Sequence, residues 1–169
     1  MLLKIKKVLD MALESLIMIS VAVLTLDVLW QVFTRFVLKN PCTWSEELAV
    51  FMIIWVALLG SAVALGRGSH LGVDYFISKL PEKLRIKSEI LVFLLIAIFA
   101  LTVFVIGGTN LVISIVHLGQ VSPSLGIQVG YVYLAVPISG FFMTLYSVIA
   151  MTERWSVKDI QNTQRKDAI

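Results

Sequence analysis

Residues Ile90–Val116, ILVFLLIAIFALTVFVIGGTNLVISIV, decide the fold class, because 27 consecutive residues carry no charge. About 20 apolar residues at 1.5 Å rise cross the hydrocarbon of a bilayer, so this run spans with length to spare. A membrane β-strand would alternate polar and apolar at every second residue, and this run does not. It reads as a transmembrane helix. Three more apolar segments flank it: one from Leu9 to Leu38, one from Leu48 to Gly66, and one within Ile127 to Thr152. The expected spans are 9–38, 46–66, 86–116 and 128–152.

The whole chain agrees. Of its 169 residues, 59% are hydrophobic and 15% charged, against about 25% charged in ordinary soluble domains. The mean hydropathy is +0.93. These values exclude a soluble globular domain and a disordered chain, and the absence of a Gly period excludes collagen. The single cysteine, Cys42, forms no intrachain disulfide and reads as a small inert side chain. The net charge of +3 reflects basic residues at the ends of apolar runs, not a nucleic-acid partner. The fold class is an all-α integral membrane protein with four transmembrane helices.

Basic residues set the orientation. Lys4, Lys6 and Lys7 precede span one. Arg67, Lys79, Lys83, Arg85 and Lys87 lie between spans two and three, and Arg154, Lys158, Arg165 and Lys166 follow span four. Only Arg35 and Lys39 lie on the other side, so twelve of the fourteen basic residues share one face. Both termini are therefore expected to be cytoplasmic. Span one is too long for a signal-peptide core and carries Glu14 and Asp27, so it reads as a retained helix.

The connections carry their own signals. Thr43 and Glu46 fit a capping box at the start of span two. Trp30, Trp44, Tyr131 and Tyr133 suit the outer headgroup layer. Val73, Phe76, Ile77 and Leu80 recur at helical spacing, with Asp74, Ser78 and Lys79 opposite. This predicts a short interfacial amphipathic helix over 72–80. Pro81 would stop it and open span three. Gly107–Gly108 marks a bend and Pro137 a kink. The polar tail 156–169 is expected to fray.

Charges inside a membrane span are functional candidates by default. Asp27, Gln31 and Arg35 stand at i, i+4 and i+8 and form one polar stripe. The stripe climbs toward Trp44, Ser45, Glu46 and Glu47, so Arg35 is expected to pair with Glu46 or Glu47. Two roles stay open for it: a clamp fixing the first hairpin, or a docking site for another chain. Arg67 and His70 end span two, where Arg67 complements the helix dipole and the anionic leaflet. Glu14 lies near the inner end of span one and suits an interfacial role. Ala57, Gly60, Ser61 and Ala64 make a smooth stripe on span two. His70 and His117 belong to opposite ends of the spans and cannot share a haem iron. No nucleophile elbow, P-loop or zinc motif occurs, so neither enzyme activity nor a cofactor or metal is expected. With few buried polar groups and no internal repeat, the chain suits an accessory subunit.

Arg35, Asn40-Pro41, Trp44-Ser45-Glu46-Glu47-Leu48, Gly60, Arg67-Gly68-Ser69-His70-Leu71 and Val73-Asp74 follow one another in this order. With Ser122-Pro123-Ser124-Leu125-Gly126-Ile127 and Ala135-Val136-Pro137-Ile138, the pattern resembles the small, DctQ-like membrane subunit of tripartite ATP-independent periplasmic (TRAP) transporters. The resemblance covers the whole chain. It implies a large polytopic partner subunit that carries the substrate and sodium sites, and a periplasmic binding protein that delivers an organic acid: a C4-dicarboxylate, a sugar acid or a sialic acid. It implies sodium-gradient energy, a bacterial inner-membrane location, and a scaffold role for the small subunit. By the resemblance, Arg35, Trp44, Glu46 and Glu47 stabilise the first hairpin or meet the partner, and the spacing of the stripe adds Asp27 and Gln31 to that group. Arg67, His70 and Asp74 form an inner-side anchor. The rival readings are a self-contained proton-coupled exporter using Glu14, a haem-bearing respiratory anchor, and an assembly factor.

Overall fold

The structure, a computed structural model of the chain, describes residues 2–67 and 82–166. Among them, all regular structure is helical apart from an isolated antiparallel bridge between Val121 and Gln128. The first hairpin pairs α1 (Leu2–Phe36) with α2 (Thr43–Gly66). The second begins with α3 (Glu82–Phe99), passes through π-helical turns at Ala100–Gly107, and continues as α4 (Gly108–His117). It returns through a short α5 (Val129–Tyr133) into α6 (Ala135–Lys166). Four stretches are long and apolar enough to cross a membrane: Leu9–Phe36, Thr43–Gly66, Lys87–His117 and Val129–Arg154. The interfacial helix expected over 72–80 lies outside the described residues.

The helices stand in a row. α1 packs on α2, α2 on α6, and α6 on α3 and the π turns, while α1 and α3 share no contact among the described residues. Burial follows this order. Only 6% of the most apolar window is buried in the two outer spans, against 22% and 28% in the two inner ones. The core cluster joins Leu13 of α1, Leu59, Val63 and Leu65 of α2 and Tyr146 of α6, with Trp55, Phe93 and Phe142 packed around it. The long apolar side chains of α1, such as Met18, Ile19, Leu26 and Leu29, are exposed, as lipid contact requires.

Three local expectations are corrected. Thr43 and Glu46 form no capping box: Cys42 holds the cap position without a side-chain hydrogen bond, and Glu46 pairs with Arg35 instead. The bend expected at Gly107–Gly108 is spread over the eight residues Ala100–Gly107 as π-helical turns. Gly140 of α6 explains the close fit there, because a Cβ on it would lie 2.4 Å from Phe104 Cβ and 3.1 Å from the carbonyl carbon of Phe104. The tail stays helical to Lys166; Ser156–Lys166 contains neither Gly nor Pro to stop it. Span four does break, at Leu134 between α5 and α6. Pro137 cannot donate to the Tyr133 carbonyl four residues back and crowds it, and regular bonding resumes with the Ile138 N–H to the Leu134 carbonyl at 3.2 Å.

Candidate functional site

The polar side chains gather at the two ends of the row. At the end of the hairpin turns, Asp27 is buried in α1 although it carries a carboxylate. It accepts a hydrogen bond from the Ser45 hydroxyl and one from Gln31 Nε2 at 2.9 Å. Gln31 also donates to the Ser45 carbonyl at 3.0 Å, and Ser45 is fully buried. The i, i+4 spacing of Asp27 and Gln31 therefore aims both at the first turn of α2. One turn further, Arg35 donates to Glu46 Oε1 at 2.5 Å, with both side chains about half exposed. Lys39 takes a left-handed φ of +50° in the hairpin turn, and the Asn40 N–H closes back on the Thr34 carbonyl at 3.1 Å.

Glu47 turns the other way, toward the second hairpin. Its carboxylate accepts the Ser122 hydroxyl and the backbone N–H groups of Ser124 at 3.2 Å and Leu125 at 3.3 Å. The loop that supplies them is closed by the Ser122 N–H to the Ile127 carbonyl at 2.9 Å, and Gly126 sits there at φ +67°. An open groove of about 430 Å³ runs beside this clasp, between Thr43, Glu46 and Val50 on one side and Ser122 and Pro123 on the other. Trp44 is exposed next to it.

At the opposite end, buried Tyr146 of α6 donates its hydroxyl to Asp10 of α1 at 2.5 Å. The Tyr146 ring crosses Gly66, where a Cβ would lie 3.0 Å from ring carbon Cδ1. Arg67 meets Glu14 through Nε at 2.9 Å and through a terminal nitrogen at 2.5 Å. The expected inner cluster of Arg67, His70 and Asp74 is described only at Arg67, since His70 and Asp74 lie outside the described residues. A third group joins Arg85 and Glu89 of α3 to Arg154 of α6.

The sequence reading aimed the Asp27 stripe at the right turn, but it missed Ser45, Ser122, Asp10, Tyr146 and Glu89 as partners. Asp10 and Glu14 stand at i, i+4 and signal a second polar stripe on α1. Serine and tyrosine carry no such signal. The small residues Ala57, Ser61 and Ala64 face outward on α2, and nothing lies within 4 Å of a Cβ built on Gly60. No group of three or more acidic, His or Cys side chains that would hold a metal occurs among the described residues.

Comparisons with known proteins bear on what this arrangement serves. A family model described as "Tripartite ATP-independent periplasmic transporters, DctQ component" matches residues 8–157. The chain is 32% identical over 136 residues to the sialic acid TRAP transporter small permease protein SiaQ of Vibrio cholerae, covering 78% of this chain and 75% of that protein. It is 30% identical over 102 residues to the C4-dicarboxylate TRAP transporter small permease protein DctQ of Rhodobacter capsulatus, covering 59% of this chain and 44% of that protein. A 55-residue stretch is 38% identical to the sialic acid TRAP transporter permease protein SiaT of Haemophilus influenzae; it covers 32% of this chain and 9% of that much longer protein. Four apolar helices in a row, clasped at both ends and matched over almost their whole length, place the chain in the DctQ component family: it is a small permease subunit of a TRAP transporter and not an enzyme.

Proposed function

We propose that the chain is a scaffold that holds the static part of a large permease subunit in the bacterial inner membrane, with both termini cytoplasmic. The complete transporter imports an organic acid, either a sialic acid or a C4-dicarboxylate, the two solutes named for its relatives. A periplasmic binding protein delivers the solute and a sodium gradient drives uptake, as the family resemblance implies. The observation that carries this reading is the open row of helices. α1 and α3 share no contact among the described residues, so the row surrounds no central cavity in which a solute would be enclosed. Asp27 and Glu47 at one end, and Asp10, Glu14 and Arg67 at the other, are engaged in internal clasps. A chain whose described helices are arranged this way has surface to offer a neighbour.

The exporter reading requires Glu14 deep in the bilayer and an aromatic-lined cavity. Glu14 instead lines an open groove of about 440 Å³ and is paired with Arg67. The test is purification of the tagged chain from native membranes in mild detergent, followed by reconstitution. A large polytopic subunit should co-purify. Liposomes holding both chains should accumulate labelled sialic acid or C4-dicarboxylate only with the binding protein and an inward sodium gradient, and Glu14→Gln should leave uptake near wild type. Proton-driven efflux by this chain alone, lost in Glu14→Gln, would overturn the proposal.

A further inference from the structure

We propose that Arg85, Glu89 and Arg154 form a binding site for the phosphate of an anionic phospholipid. Glu89 sits on α3 with its side chain only 8% exposed, while the guanidinium side chains on either side are 50% and 49% exposed. The carboxylate is therefore behind and the two arginines are in front. Arg85 donates through Nε to Glu89 Oε1 at 3.0 Å. Arg154, from α6, brings its Nε to 3.2 Å from Oε2, a contact of charge alone, since Oε2 has no hydrogen bond. Two like charges from different helices would repel if nothing stood between them. The buried carboxylate draws both to one point and leaves the triad with one net positive charge.

That charge matches a phosphodiester, which carries one negative charge, so the site becomes neutral when filled. The forked guanidinium donates well to phosphate oxygens. The position fits the same ligand. The apolar spans end here, at Lys87 on one helix and Arg154 on the other, which is the depth of lipid headgroups. Further into the membrane the exposed side chains of these helices are apolar, as at Leu91, Leu95 and Val148, and acyl chains lie against such a surface. Basic sites between transmembrane helices bind anionic headgroups in this way. The inference requires only that the chain is membrane-embedded, and it stands whether or not the scaffold reading does.

Native mass spectrometry of the full-length chain, with whatever subunit co-purifies, provides the test. Phosphatidylglycerol and phosphatidylcholine of equal chain length are titrated into detergent. Wild type should retain one phosphatidylglycerol per chain with a preference over phosphatidylcholine, and millimolar inorganic phosphate should not displace it. R85Q/R154Q should weaken that preference about tenfold or more, the loss expected for charge-assisted hydrogen bonds. K4Q/K6Q/K7Q, which removes more charge elsewhere, should keep it. Absence of a preference in wild type, displacement by inorganic phosphate, or an equal loss in the N-terminal lysine variant would each overturn the site. Absence of the preference in wild type overturns the site even if R85Q/R154Q does not fold.

Discussion

Ser45 and Arg35 each make a polar contact across the first hairpin, and burial separates their worth. Ser45 is fully buried and donates to a buried Asp27. Its removal leaves a carboxylate oxygen short of a donor where water does not reach, at a cost of about 1–3 kcal/mol. The Arg35–Glu46 pair is short, at 2.5 Å, but both partners are about half exposed, and such pairs contribute about 0–1 kcal/mol. Ser45→Ala should therefore lower the melting temperature of the purified protein by about 2–10 °C, and Arg35→Ala by less than about 4 °C. The reverse order would show that the exposed ion pair, and not the buried hydroxyl, holds the hairpin. Spacing on one helix made the direction of the stripe legible. It did not decide between Glu46 and Glu47, because consecutive residues on α2 differ by a 100° turn and only the approach angle of the two helices selects one. Tyr146 and Asp10, 136 residues apart, leave no trace in local pattern at all.

Among the elements, the contact between α6 and the π turns is the tightest described. Gly140→Ala puts a methyl group against the Phe104 backbone, which cannot give way as a flexible side chain would. Overpacking of this kind costs about 1–3 kcal/mol. Gly60→Ala, with open space around it, should instead be neutral or gain about 1 kcal/mol from helix propensity. Thermal unfolding of both variants side by side checks this, and a drop in Gly60→Ala as large as in Gly140→Ala would refute the packing account. The four spans were legible from the length of their apolar runs. The neighbour relations were not, because lipid is as apolar as a protein core, so Leu26 facing lipid and Leu59 in the core look the same in sequence. The π turns were hidden for a related reason. Apart from Gly107 at its end, nothing in ALTVFVIG departs from ordinary helix-compatible chemistry; the opposing Gly140 explains why the rod fits there.

For the molecule as a whole, the row has one long-range seam. Each hairpin is joined by sequence-near contacts, α1 with α2, and α3 with α6. Among the described residues, the two halves meet where α2 lies on α6, where Tyr146 crosses Gly66 and reaches Asp10 of α1, and where Glu47 grips the far loop. That geometry makes the chain two separable inserts with complementary edges. A gene divided between the codons for Gly66 and Glu82, with both fragments expressed together, should yield halves that recover each other in the membrane. Ser122→Ala together with Tyr146→Phe should weaken that recovery well before it harms the uninterrupted chain. In the divided protein a weak edge must find its match by diffusion, whereas covalent continuity supplies the encounter in advance.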